Sequence, residues 1–102
     1  MKNILENINK AFENRIRLGI MSALIVNEWL EFNYLKELLQ VTDGNLASHL
    51  SALEKTGYIQ VRKAFIGKKP NTSYGATEAG KKAFGAHLDA LETLLNERNK
   101  KM

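Results

Sequence analysis

Residues 42–77 constrain the fold most, because a helical pattern in this stretch runs directly into the pattern of a β-hairpin. Leu46, Leu50 and Leu53 recur at spacings of four and three residues, which places them on one face of an α-helix. The other faces carry mostly small or polar side chains. The sequence therefore predicts a helix over residues 43–56 that buries one face in a core and leaves the opposite face exposed.

The hairpin pattern begins as soon as this helix ends. Gly57 is suited to stop a helix, and residues 58–66 are rich in strand-forming side chains. Residues 67–72 contain the glycine, proline and asparagine that are typical of a turn, and Tyr74 is expected to begin a short return strand. The sequence thus predicts two strands joined by a turn of several residues.

The positive charge of the chain collects in the same hairpin. Residues 59–77 contain four basic side chains and no Asp or Glu, and the formal net charge of the whole chain is also +4. The basic side chains are Arg62, Lys63, Lys68 and Lys69. This distribution favours a polyanionic partner, and a helix with a small polar face can approach base edges that bulky side chains would not reach. Any surface helix has a polar face, so the basic hairpin is what favours a DNA-reading helix over that simpler interpretation.

Apolar spacing upstream predicts two further helical segments. A first stretch is suggested by Ile4, Leu5, Ile8 and Phe12. Asn14 is expected to cap a longer scaffold helix that runs from Arg15 to about Val26. Gly19 inside this helix costs roughly 1 kcal/mol relative to Ala, which indicates a close contact with another helix.

A short strand and a short helix are expected between the scaffold helix and residue 43. Residues 29–32 alternate between apolar and polar side chains as a strand would. Asn33 is expected to cap a helix over residues 34–39. Its inward-facing residues would be Leu35, Leu38 and Leu39, and residues 40–42 would form the turn that follows.

The last segment has the pattern of one long helix beginning near Thr77. An apolar seam of coiled-coil type repeats at spacings of four, three and four residues, at Phe84, Leu88, Leu91 and Leu95. The first turns can pack on the chain's own core, whereas the later ones extend beyond it. We therefore expect a homodimer through this helix, with the first helical stretch beside it. The expected interface residues are Leu5, Ile8, Phe12, Leu88, Leu91, Leu94 and Leu95.

Composition limits the class of protein. A chain of 102 residues with 44% hydrophobic residues is sized for one domain. The absence of cysteine excludes disulfides and thiolate metal sites, and neither a secretory signal nor a membrane-spanning run is recognised, so a cytoplasmic location is expected. His49 and His87 are the two histidines, and no catalytic triad or phosphate-binding loop accompanies them. The sequence therefore predicts neither an enzyme nor a metal or cofactor site, with His87 expected to pack rather than to bind a ligand.

Four motifs resemble the winged helix-turn-helix transcriptional regulators, specifically the short branch related to the MarR and ArsR families. They lie at residues 17–21, 38–50, 53–59 and 70–80, within a resemblance that covers roughly residues 15–91. The resemblance implies a mostly helical α+β fold, in which a three-helix core carries a β-hairpin wing and a long carboxy-terminal dimerisation helix follows. The expected divisions of this single domain are an extension over 1–13, a core over 14–76 and the dimerisation helix and tail over 77–102.

The resemblance also implies which side chains contact DNA. In the major groove, base edges would be met by Asn45, Ser48, His49 and Ala52, and phosphate at the helix start by Thr42 and Gly44. The wing would touch the backbone or minor groove through Lys68, Lys69 and Asn71, with Arg62, Lys63 and Thr72 flanking. Asp43 departs from this pattern in charge, and its carboxylate is expected to cap the helix or to accept from a cytosine amino group.

A second class of function remains open. The domain would then be a protein- or RNA-interaction module that binds no operator, although the basic hairpin and the polar helix face favour DNA. A small effector is conceivable between the scaffold helix and the last helix, near Trp29 and Phe84. The sequence leaves repressor and activator equally open.

Overall fold

The computed structural model describes residues 4–100. Two 3₁₀ helices, Ile4–Asn7 and Lys10–Phe12, form an amino-terminal arm. They are followed in order by α1 (Arg15–Ile25), β1 (Leu30–Glu31), α2 (Phe32–Leu39), α3 (Asp43–Thr56), β2 (Ile59–Ile66), β3 (Lys69–Ala76) and α4 (Glu78–Lys100). Within this range, none of the helices combines the length and apolar character needed to cross a membrane.

The core lies where α1 and α3 meet, with α2, the sheet and α4 closing around them. Three buried leucines of α3, at the positions expected from their spacing, pack with Ile20, Met21 and Leu24 of α1. The Asn14 side chain caps α1 by accepting from the N–H groups of Ile16 at 2.9 Å and Arg17 at 3.1 Å. The predictions for α1 and α3 are therefore confirmed, including the bounds of α3.

Helix α2 differs from its prediction at its start and on one face. It begins at Phe32, so Asn33 lies inside the helix and is not its cap, and the capping position belongs to Glu31 without a side-chain hydrogen bond. Leu35 is fully buried, but Leu38 is 51% exposed, so the expectation that it points inward is wrong. The expected close contact at Gly19 is confirmed, since a Cβ there would lie 2.8 Å from a methyl carbon of Leu39.

The amino-terminal arm is two short 3₁₀ helices and not one continuous helix. The break is at Asn9, whose side chain accepts from the N–H of Ala11 at 2.9 Å and so caps the second of them. Phe12 is only 2% exposed and meets Phe84 edge-on at 5.2 Å. The expectation that Phe12 lies in a subunit interface is therefore wrong, because this side chain is already part of the protomer's own core.

The three strands form an antiparallel sheet in the order β1-β3-β2. The hairpin loop consists of Gly67 and Lys68 alone, and β3 begins at Lys69 rather than at Tyr74. A glycine with φ of 66° permits this tight two-residue turn. Pro70 has no N–H to donate to a neighbouring strand. It is tolerated in β3 because β1 pairs with β3 only further along, so no strand lies beside Pro70 on that edge to accept such a hydrogen bond.

A junction of hydrogen bonds ties the end of α3 and the base of the hairpin to the start of α4. The Thr77 hydroxyl donates to the carbonyl of Gly57 at 2.7 Å, and the Thr77 N–H donates to the carbonyl of Tyr58 at 3.0 Å. The same hydroxyl accepts from the N–H of Gly80 at 3.0 Å, which confirms Thr77 as the cap of α4. A side chain at residue 80 would overlap the Tyr58 carbonyl, so glycine is required there.

Replacing Gly80 by Ala is expected to lower the free energy of unfolding by about 1–3 kcal/mol, the usual cost of forcing a carbon into a filled site. Gly85→Ala is the matched control on the same helix, because an added Cβ there meets nothing within 4 Å. It should raise the free energy of unfolding by about 0.5–1 kcal/mol, since Ala favours a helix over Gly. Urea denaturation followed by circular dichroism measures both changes, and equal effects would contradict the tight junction.

Candidate nucleic-acid interface

The exposed face of α3 is small and polar. Gly44, Asn45, Ser48 and Ala52 are all exposed, while the leucines on the opposite face are fixed in the core. Because no bulky apolar side chain stands on this face, the helix backbone can come close to a grooved surface. Lys55 continues the exposed face toward the end of the helix.

The start of α3 is capped by Thr42 and not by Asp43. The Thr42 hydroxyl oxygen accepts from the N–H of Asn45 at 3.2 Å, which leaves its own proton available to donate. The Asp43 carboxylate pairs instead with Lys36 of α2 at 2.8 Å. The expectation that Asp43 caps the helix is therefore wrong, and the Lys36 ammonium offsets the carboxylate's charge where backbone N–H groups point outward.

His49 lies on the flank of α3 that faces α1. It is half-buried, and its Nδ1 accepts from Nη1 of Arg17 at 3.0 Å, because a guanidinium can only donate. Partial burial and the Arg17 charge both lower the pKa of His49 below 6.5. The ring is thus held neutral, and the proton on Nε2 remains as a donor. His49 therefore lies at the edge of the exposed face, one helical turn after Asn45, on the flank that meets α1.

Alternation along β2 divides the basic residues of the hairpin between two faces. The inner face, which carries Val61, Lys63 and Tyr74, is turned toward α3. Arg62 lies on the opposite, outer face, where its guanidinium stacks over the Trp29 ring at 4.3 Å from the centroid. The expectation that Arg62 flanks the same contact as Lys63 is therefore wrong, since neighbouring residues of a strand point to opposite sides.

A cleft of about 430 Å³ separates α3 from the inner face of the hairpin. Its lining on the α3 side includes Ala47, Ser51 and Glu54. Burial, and then the Glu54 carboxylate, raise the pKa of Tyr74, so its hydroxyl keeps its proton. Sequence reasoning missed Ala47 and Ser51 as groove-facing residues. The spacing of residues 44, 48, 51 and 55 on one helical stripe is the signal that would have found Ser51.

The hairpin narrows to a basic tip beyond this cleft. Lys68 in the loop and Lys69 at the start of β3 are both exposed. Thr72 is half-buried on the inner face opposite Lys63. Asn71 is half-buried on the outer face, where its side-chain oxygen accepts from the Ser73 hydroxyl at 3.2 Å. The structure therefore brings Lys63 and Thr72 to the side of α3 and separates Asn71 from them.

The two aromatic residues expected near an effector do not share a cavity. Phe84 is 4% exposed and fills the core, so the expectation that it lines a ligand site is wrong. Trp29 lines an open pocket of about 470 Å³ between the end of α1, the base of the hairpin and the start of α4. His87 is buried as expected, and its Nδ1 accepts from the N–H of Asn9 at 3.0 Å.

A separate apolar surface runs along α4 and the arm. Leu88, Leu91 and Leu95 are exposed by 46%, 40% and 61%, and Leu5 of the arm by 62%. Their spacing puts the three α4 leucines on one side of the helix, adjacent to the side that packs on the core. Leu94 and Ile8 are half-buried. We call the four exposed leucines the leucine surface.

A match to a family model identifies the family. The model for a winged helix DNA-binding domain matches residues 16–95. The chain belongs to this winged helix family. An uncharacterized protein of Methanocaldococcus jannaschii is 41% identical over 79 residues, which are 78% of this chain and 86% of that protein.

Solved structures described as transcriptional regulators have the same fold. A transcriptional regulator homologue from Pyrococcus horikoshii OT3 has a TM-score of 0.83 and 30% identity, covering 92% of this chain and 95% of that chain. A regulator of the MarR family from Enterococcus faecalis V583 has a TM-score of 0.74 at 22% identity, covering 96% and 84%. The winged helix fold is confirmed and is shared with a MarR-family regulator, and this winged helix protein is of the DNA-binding, transcription-regulator type.

We expect nuclear magnetic resonance titration of the His49 ring to give a pKa below 6.5, and Arg17→Met to raise it toward that value by removing the nearby charge. Because the folded state favours the neutral ring, the unfolded chain binds more protons between the two pKa values. This group's contribution to stability is therefore complete above about 6.5, the unfolded pKa. It is lost as pH falls through the folded value. A His49 pKa at or above 6.5 would contradict the Arg17 contact.

Proposed function

We propose that this chain is a dimeric transcriptional regulator that binds double-stranded DNA sequence-specifically, with α3 in the major groove and the hairpin on the adjacent backbone or minor groove. One observation carries the proposal: Lys63 of the hairpin lies across one cleft from Ser51 of α3, which continues the exposed stripe of Gly44 and Ser48. A duplex is a partner that offers base edges to a helix and a phosphate backbone to a basic hairpin at once.

Within α3, Asn45 and Ser48 are the residues proposed to distinguish bases. Both side chains are exposed, and neither has a side-chain hydrogen bond assigned to it in the structure. An amide can donate and accept together at one base edge, and a hydroxyl can do either. Thr42 and Gly44 would meet phosphate at the helix start, with Ala52 allowing close approach.

The hairpin is proposed to supply sequence-independent affinity. Lys63, Lys68 and Lys69 are exposed, and contacts of lysine with phosphate release condensed counterions. Arg62 and Asn71 are left out of this set because their side chains already contact Trp29 and Ser73 within the protomer.

The leucine surface is proposed to be the homodimer interface. Leu88, Leu91 and Leu95 share one side of α4, soluble monomers seldom leave a large apolar patch open, and a two-fold axis would bury the same leucines on both chains. The molecule measures 60 Å along its longest axis against 25 and 21 Å across, and residues 91–97 of α4 are exposed apart from Leu94. Two copies joined along α4 can place their reading helices in successive major grooves, about 34–36 Å apart.

Asn45→Ala and Ser48→Ala should each weaken binding to the preferred site by about 1–3 kcal/mol and affect unrelated DNA much less. A site recovered by selection from a random duplex pool serves as the specific probe, and fluorescence anisotropy measures affinity across salt concentrations.

Lys68→Ala combined with Lys69→Ala should instead weaken binding to the specific and the unrelated duplex alike and make affinity less dependent on salt. Asn96→Ala, at an exposed position far along α4, is the control.

Equal losses on both duplexes for Asn45→Ala and Ser48→Ala would assign these residues to the backbone instead. Failure of the wild type to select any duplex would favour the alternative of a protein- or RNA-interaction module.

Replacing Leu91 and Leu95 together by Glu should convert the dimer into a monomer and abolish binding to a palindromic site, because charges on both sides of a two-fold interface repel and stay desolvated. Leu38→Glu is the matched control, since Leu38 is similarly exposed but lies on α2. Sedimentation velocity at micromolar concentration gives the oligomeric state. A wild-type monomer that still binds a palindromic site tightly would overturn the arrangement.

A further inference from the structure

Two large apolar side chains project from the tip of the hairpin, far from the core and from the leucine surface. Phe65 is 74% exposed and Ile66 is 66% exposed, among the highest values for the large hydrophobic residues of the described chain. Neither belongs to the core cluster or to the residues packed against it. Their exposure therefore has no explanation in the folding of the protomer.

The tip has the chemistry of a surface that meets a polyanion and something apolar together. Lys68 and Lys69 directly follow the two apolar residues, and residues 59–77 contain no Asp or Glu. In the strand register Phe65 lies opposite Pro70, and Ile66 lies opposite Lys69. The tip thus presents Phe65 and Pro70 on one face and Ile66 on the other, next to Lys68 and Lys69.

The position of Phe65 links the tip to the reading helix. Phe65 and Pro70 share the inner face of the hairpin with Lys63, which lines the cleft beside α3. A duplex that receives α3 in its major groove would run past this face toward the tip. The loop of only two residues keeps the tip narrow, which suits a minor groove about 6 Å wide.

We propose that the hairpin tip is an apolar wedge for the minor groove, with Phe65 inserting at a base-pair step, Pro70 beside it and Ile66 on the opposite face of the tip. This inference rests on the DNA binding proposed above and adds a mode of recognition to it. Phe, Ile and Pro are side chains that unstack base steps and kink a duplex, while the adjacent lysines hold the phosphates on each side. The wedge would select pyrimidine–purine steps, which unstack most readily, at a position where no base is read by hydrogen bonds.

The test compares two fluorescein-labelled duplexes of 30 base pairs, identical except that one carries a central mismatch. Because the bases are already poorly stacked at the mismatch, inserting a side chain there costs less free energy. The wild type should therefore bind that duplex roughly fivefold to tenfold more tightly. Phe65→Ala combined with Ile66→Ala should remove this preference while keeping affinity for the intact duplex within about threefold, because the lysines remain. Both side chains are exposed, so the variant should fold normally, which circular dichroism checks.

Two further variants sharpen the comparison. Phe65→Leu should keep most of the preference, since leucine also acts as a wedge. Val26→Ala removes an equally exposed apolar side chain, 77% exposed at the end of α1, and should leave the preference unchanged. Energy transfer between dyes at the two ends of the intact duplex should rise with the wild type and not with the double variant, because a kink shortens the end-to-end distance.

The outcomes separate the wedge from the proposed function. If the wild type binds neither duplex, DNA binding itself fails. If it binds both equally, or if the double variant keeps the mismatch preference, the wedge is overturned while DNA binding stands. Binding to phosphatidylserine vesicles that depends on Phe65 and Ile66, without any preference between the duplexes, would assign the tip to a membrane surface and overturn the proposal.

Discussion

The carbonyl of Tyr58 is the point on which the arrangement of the other elements depends. This carbonyl accepts a hydrogen bond from the N–H of Thr77 and lies so close to Gly80 that no side chain fits there. The N–H of Tyr58 donates to the carbonyl of Leu53 at 3.0 Å. These contacts therefore fix the orientations of α3, the hairpin and α4 relative to one another at one short segment. If α4 joins two subunits as proposed, a tilt at this junction would change the distance between the two copies of α3.

The arm provides a second connection between α4 and α3. Asn9 donates from its backbone to His87 of α4 and from its side chain to the Tyr58 hydroxyl at 3.0 Å. A few residues later the carbonyl of Ala11 accepts from Nε of Arg17 at 2.6 Å, and the same guanidinium reaches His49 on α3. A contiguous set of polar contacts thus passes from buried His87 of α4, through the arm and Arg17, to the flank of α3.

The sequence was sufficient for α3 and insufficient for parts of the hairpin and the arm, for physical reasons. Leucine spacing and a terminal Gly57 indicate the same helix, and their agreement fixes its bounds, although the cap is Thr42 and not Asp43 as expected. In the sequence, Pro70 resembles a turn residue. It can occupy β3 only because β1 ends before reaching it, and that depends on tertiary structure that the sequence pattern does not contain. Phe12 shows the same limit, since an apolar side chain has the same pattern whether its own core or another subunit covers it. The charge count identified the basic hairpin but did not show that Arg62 and Lys63 lie on opposite faces of it. Only the alternation of side chains along the strand separates the two residues.

That alternation restricts how the length of the hairpin can change during evolution. Its inner face meets α3 and its outer face rests on Trp29, and each strand supplies the two faces in turn. Inserting one residue midway along β2 would exchange the faces beyond that point, turning Phe65 outward and Ile66 inward. Inserting matched pairs into both strands would lengthen the reach of the tip and keep every side chain on its side. Among relatives, we would therefore expect hairpins to differ by even numbers of residues per strand, with odd steps absorbed by a bulge.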